Sequence, residues 1–161
     1  MWNLPNAVVL LSGASEGETP LNAFDNALLN AGIGHLNLLK VSSIVPPGAR
    51  IVTYSDHDVR AVCQEGAIVP CIMSFIVSSN PGEIISACVG IGVPAESHCY
   101  GMIYEHSGIE EPKHTIDCVK NMITSAFARR EVQLDKIVTE FNTYKVQQLG
   151  CVVAVALLIR L

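Results

Sequence analysis

Short apolar runs separated by polar breaks dominate the chain, and their lengths predict many strands and few helices. Asn6 to Leu11 (NAVVLL) reads as a buried strand, followed by a polar loop from Ser12 to Glu18. A helix follows from Pro20 to Ala31, with Thr19 as N-cap, Pro20 in its first turn and Gly32 closing its far end. Leu36 to Val45 (LNLLKVSSIV) is strand-like and stops at Pro46-Pro47-Gly48, while Arg50 to Gly66 is polar and mixed and reads as loop with a short irregular piece. Three apolar runs come next, Val69–Val77, Ile84–Val93 and Cys99–Glu105, and the turn residues Ser78 to Gly82 predict a hairpin between the first two. Ile116, Val119, Met122, Ile123, Ala126 and Phe127 recur at helical spacing, with Arg129 and Arg130 in the last turn. Two strands end the chain, Ile137–Val146 and Cys151–Leu161. With two or three helices among about seven strands joined by short turns, the pattern is that of an α+β protein with a largely antiparallel sheet. A doubly wound parallel sheet needs many more helices.

Composition narrows the classes. The 161 residues fit one domain, 50% are hydrophobic and 16% charged, and 10 Lys+Arg against 15 Asp+Glu give a net charge of -5. That balance excludes a disordered tail, a coiled coil and a nucleic-acid binder. The longest apolar run, Cys151 to Ile159, is about half the ~18 residues of a spanning helix, so no membrane is expected. The start, Met1-Trp2-Asn3-Leu4-Pro5, has no basic region and no signal-type core, which predicts a cytoplasmic protein. Cys63, Cys71, Cys88, Cys99, Cys118 and Cys151 show no zinc or redox spacing and read as reduced and buried. His98-Cys99 with His106 lacks ligand spacing too, so no metal is expected. High apolarity with low charge in a short chain predicts an oligomer.

Three features depart from a plain core. On a wheel of the Pro20–Ala31 helix, Leu21, Phe24, Leu28 and Ala31 share one arc, Asn22, Asn26 and Asn30 lie opposite, and Asp25 falls within the apolar arc. A carboxylate there is a structural ion-pair partner, a residue at the edge of the buried face, or the receptor of a cationic ligand. Period-two alternation puts Glu105 on one face with Cys99, Gly101 and Ile103, where the glycine leaves room for a pocket and apolar neighbours raise the carboxyl pKa, as a general acid requires. The alternative is a strand that ends at Glu105 in solvent. Ser42-Ser43 lies near the end of an apolar strand, and nothing around it resembles the G-x-S-x-G elbow or S-x-x-K set of a serine hydrolase.

The stretch from Asn22 to Gly48, NAFDNALLNAGIGHLNLLKVSSIVPPG, closely resembles the self-processing region of the pyruvoyl-dependent arginine decarboxylases, and GMIYEHSG from Gly101 to Gly108 resembles that family's proton-donor strand. The resemblance extends over essentially the whole chain. It implies a single domain over residues 1–161, cleaved between Ser42 and Ser43 into a β chain (1–42) and an α chain (43–161). Ser43 would then become a covalent pyruvoyl group, the cofactor in place of pyridoxal phosphate and with no metal. The implied reaction converts L-arginine to agmatine and carbon dioxide through a Schiff base to that group, with Glu105 as proton donor and Asp25 receiving the guanidinium. Asn37 would assist self-cleavage. A straight strand puts Asn37 about 20 Å from Ser43, so it needs a bend or must act from a neighbouring subunit. The resemblance also implies a four-layer αββα sandwich assembled as a homotrimer, or a multiple of three, with active sites between protomers. His35 and Lys40 receive no role. The alternatives are the same chemistry on another basic amino acid, or an unprocessed, non-catalytic oligomeric subunit.

Overall fold

The computed structural model describes residues 4–161. Met1 to Asn3, on which the export-signal reading partly rests, lie outside the described residues. Nine strands and three helices follow in the order β1 (Ala7–Glu16), α1 (Pro20–Asn30), β2 (Asn37–Lys40), β3 (Ile44–Val45), β4 (Arg50–Val52), α2 (His57–Val62), β5 (Ile68–Ser78), β6 (Ile84–Pro94), β7 (Gly101–Gly108), α3 (Pro112–Arg129), β8 (Leu134–Lys145) and β9 (Gly150–Ile159). One sheet has the order β2-β5-β9-β1-β4 and the other β3-β7-β6-β8. Only β1 with β4 and β2 with β5 run parallel.

Three apolar layers hold four structural layers together. Ala23, Ala27 and Leu28 of α1 pack on Val9, Val153 and Val155 of the five-stranded sheet. Val8, Ile72, Val152 and Ala154 of that sheet face Ile85, Val89 and Ile103 of the other. Val119, Ile123 and Phe127 of α3 cover the outer face of the second sheet. The architecture is therefore the expected four-layer αββα sandwich. Both faces of β9 are covered and every residue of it is buried, which is why Cys151–Ile159 reads as a continuous apolar run and not an alternating one.

The local signals behave as their chemistry dictates at α1. The Asn22 N–H donates to Thr19 Oγ1 at 3.2 Å, Pro20 occupies the first turn, and Gly32 beyond the end takes φ 82°. Elsewhere the structure differs from the sequence reading. The expected loop over Ser12–Glu18 is strand as far as Glu16, because Ser12 to Glu16 continue the ladder with Gly150–Ala154. The Arg50–Gly66 stretch contains β4 and α2. The expected hairpin does not form: β5 pairs with β9 and β2, β6 with β7 and β8, and the Ser78–Gly82 turn carries the chain from one sheet to the other. The strand Leu36–Val45 is split at Val41-Ser42-Ser43, with β2 in one sheet and β3 in the other.

Candidate active site

The split places Ser42-Ser43 at the crossing between the sheets. On one side the Val41 N–H donates to the Cys71 carbonyl of β5 at 2.9 Å, and on the other the Ile103 N–H of β7 donates to the Ser43 carbonyl at 2.9 Å. Ser42 is exposed and Ser43 half-buried. Ile44 pairs with Met102 and Val45 with Gly101, so continuing the register by one residue sets Ser43 opposite Ile103. Val45 and Ile103 both belong to the layer between the sheets, and Ser43 shares their side. Glu105 is two residues further along that face of β7, a diagonal neighbour at about 7 Å.

Glu105 opens onto a groove of about 310 Å³ whose walls include Lys40, Ser74, Phe75 and Ser107. The hydroxyl of buried Ser74 donates to the carbonyls of Cys88 (3.2 Å) and His106 (3.1 Å), and Ser107 Oγ donates to the Phe75 carbonyl at 3.0 Å. These bonds fix β5 against the strands of the opposite sheet. Burial pushes the Glu105 carboxyl above its ordinary value, and Lys40, with Nζ 3.8 Å from Oε1, opposes the shift without cancelling it. The upward shift has the expected direction and the expected cause, burial. The room beside Glu105 has a different source, since a Cβ on Gly101 would meet the Gly92 carbonyl oxygen at 2.9 Å. That glycine lets strands approach, and the groove is opened by the small Ser74 and Ser107.

Asn37 begins β2, at the end away from Ser43. Its Nδ2 donates to the Gly66 carbonyl at 2.8 Å, and the regular ladder Asn37↔Ile68 to Lys40↔Cys71 contains no bend that would return it. Asp25 is the larger departure. The buried face of α1 is Ala23-Ala27-Leu28, while Leu21 (74% exposed), Asp25 and Leu29 (57%) form a stripe on the outer side. Phe24, Leu28 and Ala31 of the predicted apolar arc do pack toward the sheet, but Ala23 and Ala27 centre the buried face where strand backbone comes close, which turns Leu21 and Asp25 outward. Among the described residues no cation lies within ion-pair distance of Asp25. One chain thus unites Ser43, Glu105 and Lys40 and leaves Asp25 and Asn37 apart from them.

His35 is occupied structurally, its Nε2 lying 3.1 Å from the Cys63 carbonyl and 3.3 Å from the Tyr54 hydroxyl. His98, Cys99 and His106 do not converge: His106 pairs with Glu110 at 3.0 Å, while Glu96 joins His98 and Cys99 with ligand atoms within 4.8 Å on an exposed loop. A separate groove of about 380 Å³ beside Val45, Gly92 and Gly101 has no carboxylate in its lining. Lys40 received no role from its position two residues before Ser42, and the structure sets its Nζ 3.8 Å from Glu105 Oε1.

A family model described as pyruvoyl-dependent arginine decarboxylase matches residues 7–160. A Methanocaldococcus jannaschii protein named pyruvoyl-dependent arginine decarboxylase is 43% identical over 157 residues, covering 98% of this chain and 92% of its own. A Pyrococcus furiosus protein of the same name is 37% identical over 158 residues, covering 97% of each. Among solved structures, a pyruvoyl-dependent histidine decarboxylase matches with TM-score 0.53 at 15% identity, over 67% of this chain and 58% of that one, a likeness of fold alone.

Proposed function

Since the chain belongs to the pyruvoyl-dependent arginine decarboxylase family and is thus a decarboxylase, we propose that it divides itself between Ser42 and Ser43 and then converts L-arginine to agmatine and carbon dioxide. The observation that carries this reading is the placement of the Ser42-Ser43 bond at the crossing between two sheets, beside a carboxyl whose pKa is raised. No ladder spans that bond. After division β2 remains bonded to β5 and β3 to β7, so both new ends stay where folding put them.

Ser43 Oγ attacks the Ser42 carbonyl carbon, and the C–N bond breaks as the acyl group moves to oxygen. Loss of the Ser43 α-proton expels the Ser42 carboxylate, and addition of one water releases the Ser43 nitrogen as ammonia. The residues fit the resulting pyruvoyl group: Ser43 is half-buried, faces the layer between the sheets, and has its carbonyl held by the Ile103 N–H. The group supplies an electron sink for the substrate carbon losing carbon dioxide. Glu105 holds the proton delivered to that carbon. Asn37, from a neighbouring copy, hydrogen-bonds the scissile carbonyl, and Asp25 takes the guanidinium. Copies assemble as a homotrimer, or a multiple of three, with sites between protomers. No metal, nucleic acid or membrane enters this scheme. The six cysteines are unpaired, in keeping with a reducing cytoplasm, and among the described residues no helix is long and apolar enough to cross a membrane.

Whole-protein mass spectrometry with assays of labelled arginine, ornithine and lysine tests the proposal. The expected outcome is two fragments, 1–42 and 43–161 with a pyruvoyl end, and carbon dioxide release from arginine foremost. Ser43→Ala should remain one chain and be inactive. Cleavage of Ser43→Ala at the same bond would remove Ser43 from the self-processing step.

A further inference from the structure

Lys40 is the only lysine or arginine among the residues that line the Glu105 groove. Its Nζ lies 3.8 Å from Glu105 Oε1, and the pair links the end of β2 in one sheet to β7 in the other. The Val41 N–H bond to the Cys71 carbonyl ties this end of β2 to β5 from the side that precedes the scissile bond, so division does not release Lys40. Ser42 is two residues further on, about 7 Å of extended chain, within the sweep of a lysine side chain.

Division changes the charge around this ammonium. A neutral peptide bond becomes a carboxylate at Ser42, and no cation compensates, since the Ser43 nitrogen leaves as ammonia. One lysine then stands between two carboxylates. The other titratable groups nearby do not alter that count. The Cys71 thiol on β5 is pushed up by burial to about 11 and stays neutral. His106, next to Glu105 on β7, turns its ring to Glu110. Glu140 on β8 shares the Val89 partner with Glu105 from two strands away, and its Oε1 accepts a 2.7 Å bond from Ser12 Oγ.

We propose that Lys40 is a positioning residue that serves Glu105 as counter-ion in the undivided chain and passes to the new Ser42 carboxylate on division, so that the proton donor is released only when the pyruvoyl group exists. The proposal rests on the self-processing reading and deepens it. An opposite charge at such a distance favours the ionised carboxylate by about one to three pH units, and the exposure of Lys40 sets the expectation at the lower end. Removing or diverting Lys40 shifts Glu105 toward its proton-bearing form.

The test follows the Glu105 carboxyl by carbon-13 NMR in full-length protein, its signal assigned by its absence in Glu105→Gln. The undivided Ser43→Ala chain and the divided wild type are titrated side by side, then each with Lys40→Met and Lys40→Arg. Glu105 is expected to titrate about one pH unit higher in the divided protein than in Ser43→Ala. Lys40→Met raises the midpoint of the undivided chain by a similar amount, Lys40→Arg leaves it in place, and the alkaline limb of kcat in divided Lys40→Met stays where divided wild type has it, because the ammonium has already left Glu105. Equal midpoints in divided and undivided protein, or a Ser43→Ala midpoint unmoved by Lys40→Met, overturn the proposal while leaving self-processing intact. A wild-type chain that mass spectrometry shows never to divide overturns the parent reading and the exchange with it.

Discussion

At the scale of residues, two forces compete for the Glu105 proton. Burial between the sheets disfavours the ionised carboxyl, the Lys40 ammonium favours it, and burial wins. A raised pKa keeps the proton-bearing form populated to higher pH, so turnover that depends on it should fall as pH rises through that value. Glu105→Gln keeps shape and hydrogen bonding but cannot deliver the proton. It is expected to divide normally and to lose on the order of 10²-fold or more in kcat, read by carbon dioxide release beside a mass spectrum of the divided chain. Wild-type turnover in divided Glu105→Gln would exclude this residue as donor. The face of Glu105 was legible from alternation alone, since Ile103 does enter the inter-sheet layer while Met102 and Tyr104 turn to α3. Lys40 was not legible as its partner, because their contact depends on which strands cross between the sheets, and periodicity along either strand carries no such information.

At the scale of elements, the same limit explains what was misread. The signs of α1 are local, a hydroxyl cap, a proline and a glycine, and they gave its ends to within a residue. Strand partners are not local. A turn between two apolar runs looks the same whether the second run folds back on the first or crosses to another sheet, as β6 does after β5. The polar Ser12–Glu16 segment resembled a loop because small residues replaced apolar ones, and the cause lies in α1. A Cβ on Gly13 would stand 2.2 Å from the Ala27 carbonyl oxygen, so the helix rests on bare strand backbone. Side chains cannot relieve a clash with a main-chain atom. Gly13→Val should therefore cost at least the ~1–3 kcal/mol of an overpacked core, seen as a lower urea midpoint at fixed protomer concentration. A stability unchanged by Gly13→Val would mean that α1 is free to lift from the sheet.

At the scale of the whole molecule, the residues assigned to one reaction are separated within a chain. Asp25 lies on the outer side of α1, one layer beyond the five-stranded sheet, whereas Glu105 lies between the sheets. The exposed Leu21 and Leu29 flank Asp25, and Leu39 and Ile44 are exposed on β2 and β3 beside the scissile bond. If the proposed homotrimer covers these surfaces and sets the Asp25 of one copy beside the Glu105 of the next, the assembly is testable through catalysis. Asp25→Asn removes the charge proposed to receive the guanidinium. Breaking one side of a charge-assisted pair costs ~2–5 kcal/mol, so the arginine KM should rise at least about thirtyfold while division proceeds, and the preference for arginine over uncharged citrulline should collapse. Co-expression of Asp25→Asn and Glu105→Gln chains then separates the arrangements. If each site draws its two carboxylates from different copies, randomly mixed trimers rebuild about a quarter of the sites, and turnover at low arginine rises above that of either variant alone. If both carboxylates serve from one chain, every site in every mixture carries a defect and no such rise occurs. Sedimentation of the mixture beside the assay completes the test: recovered turnover must travel with the oligomer, and an active monomer would refute a site shared between copies.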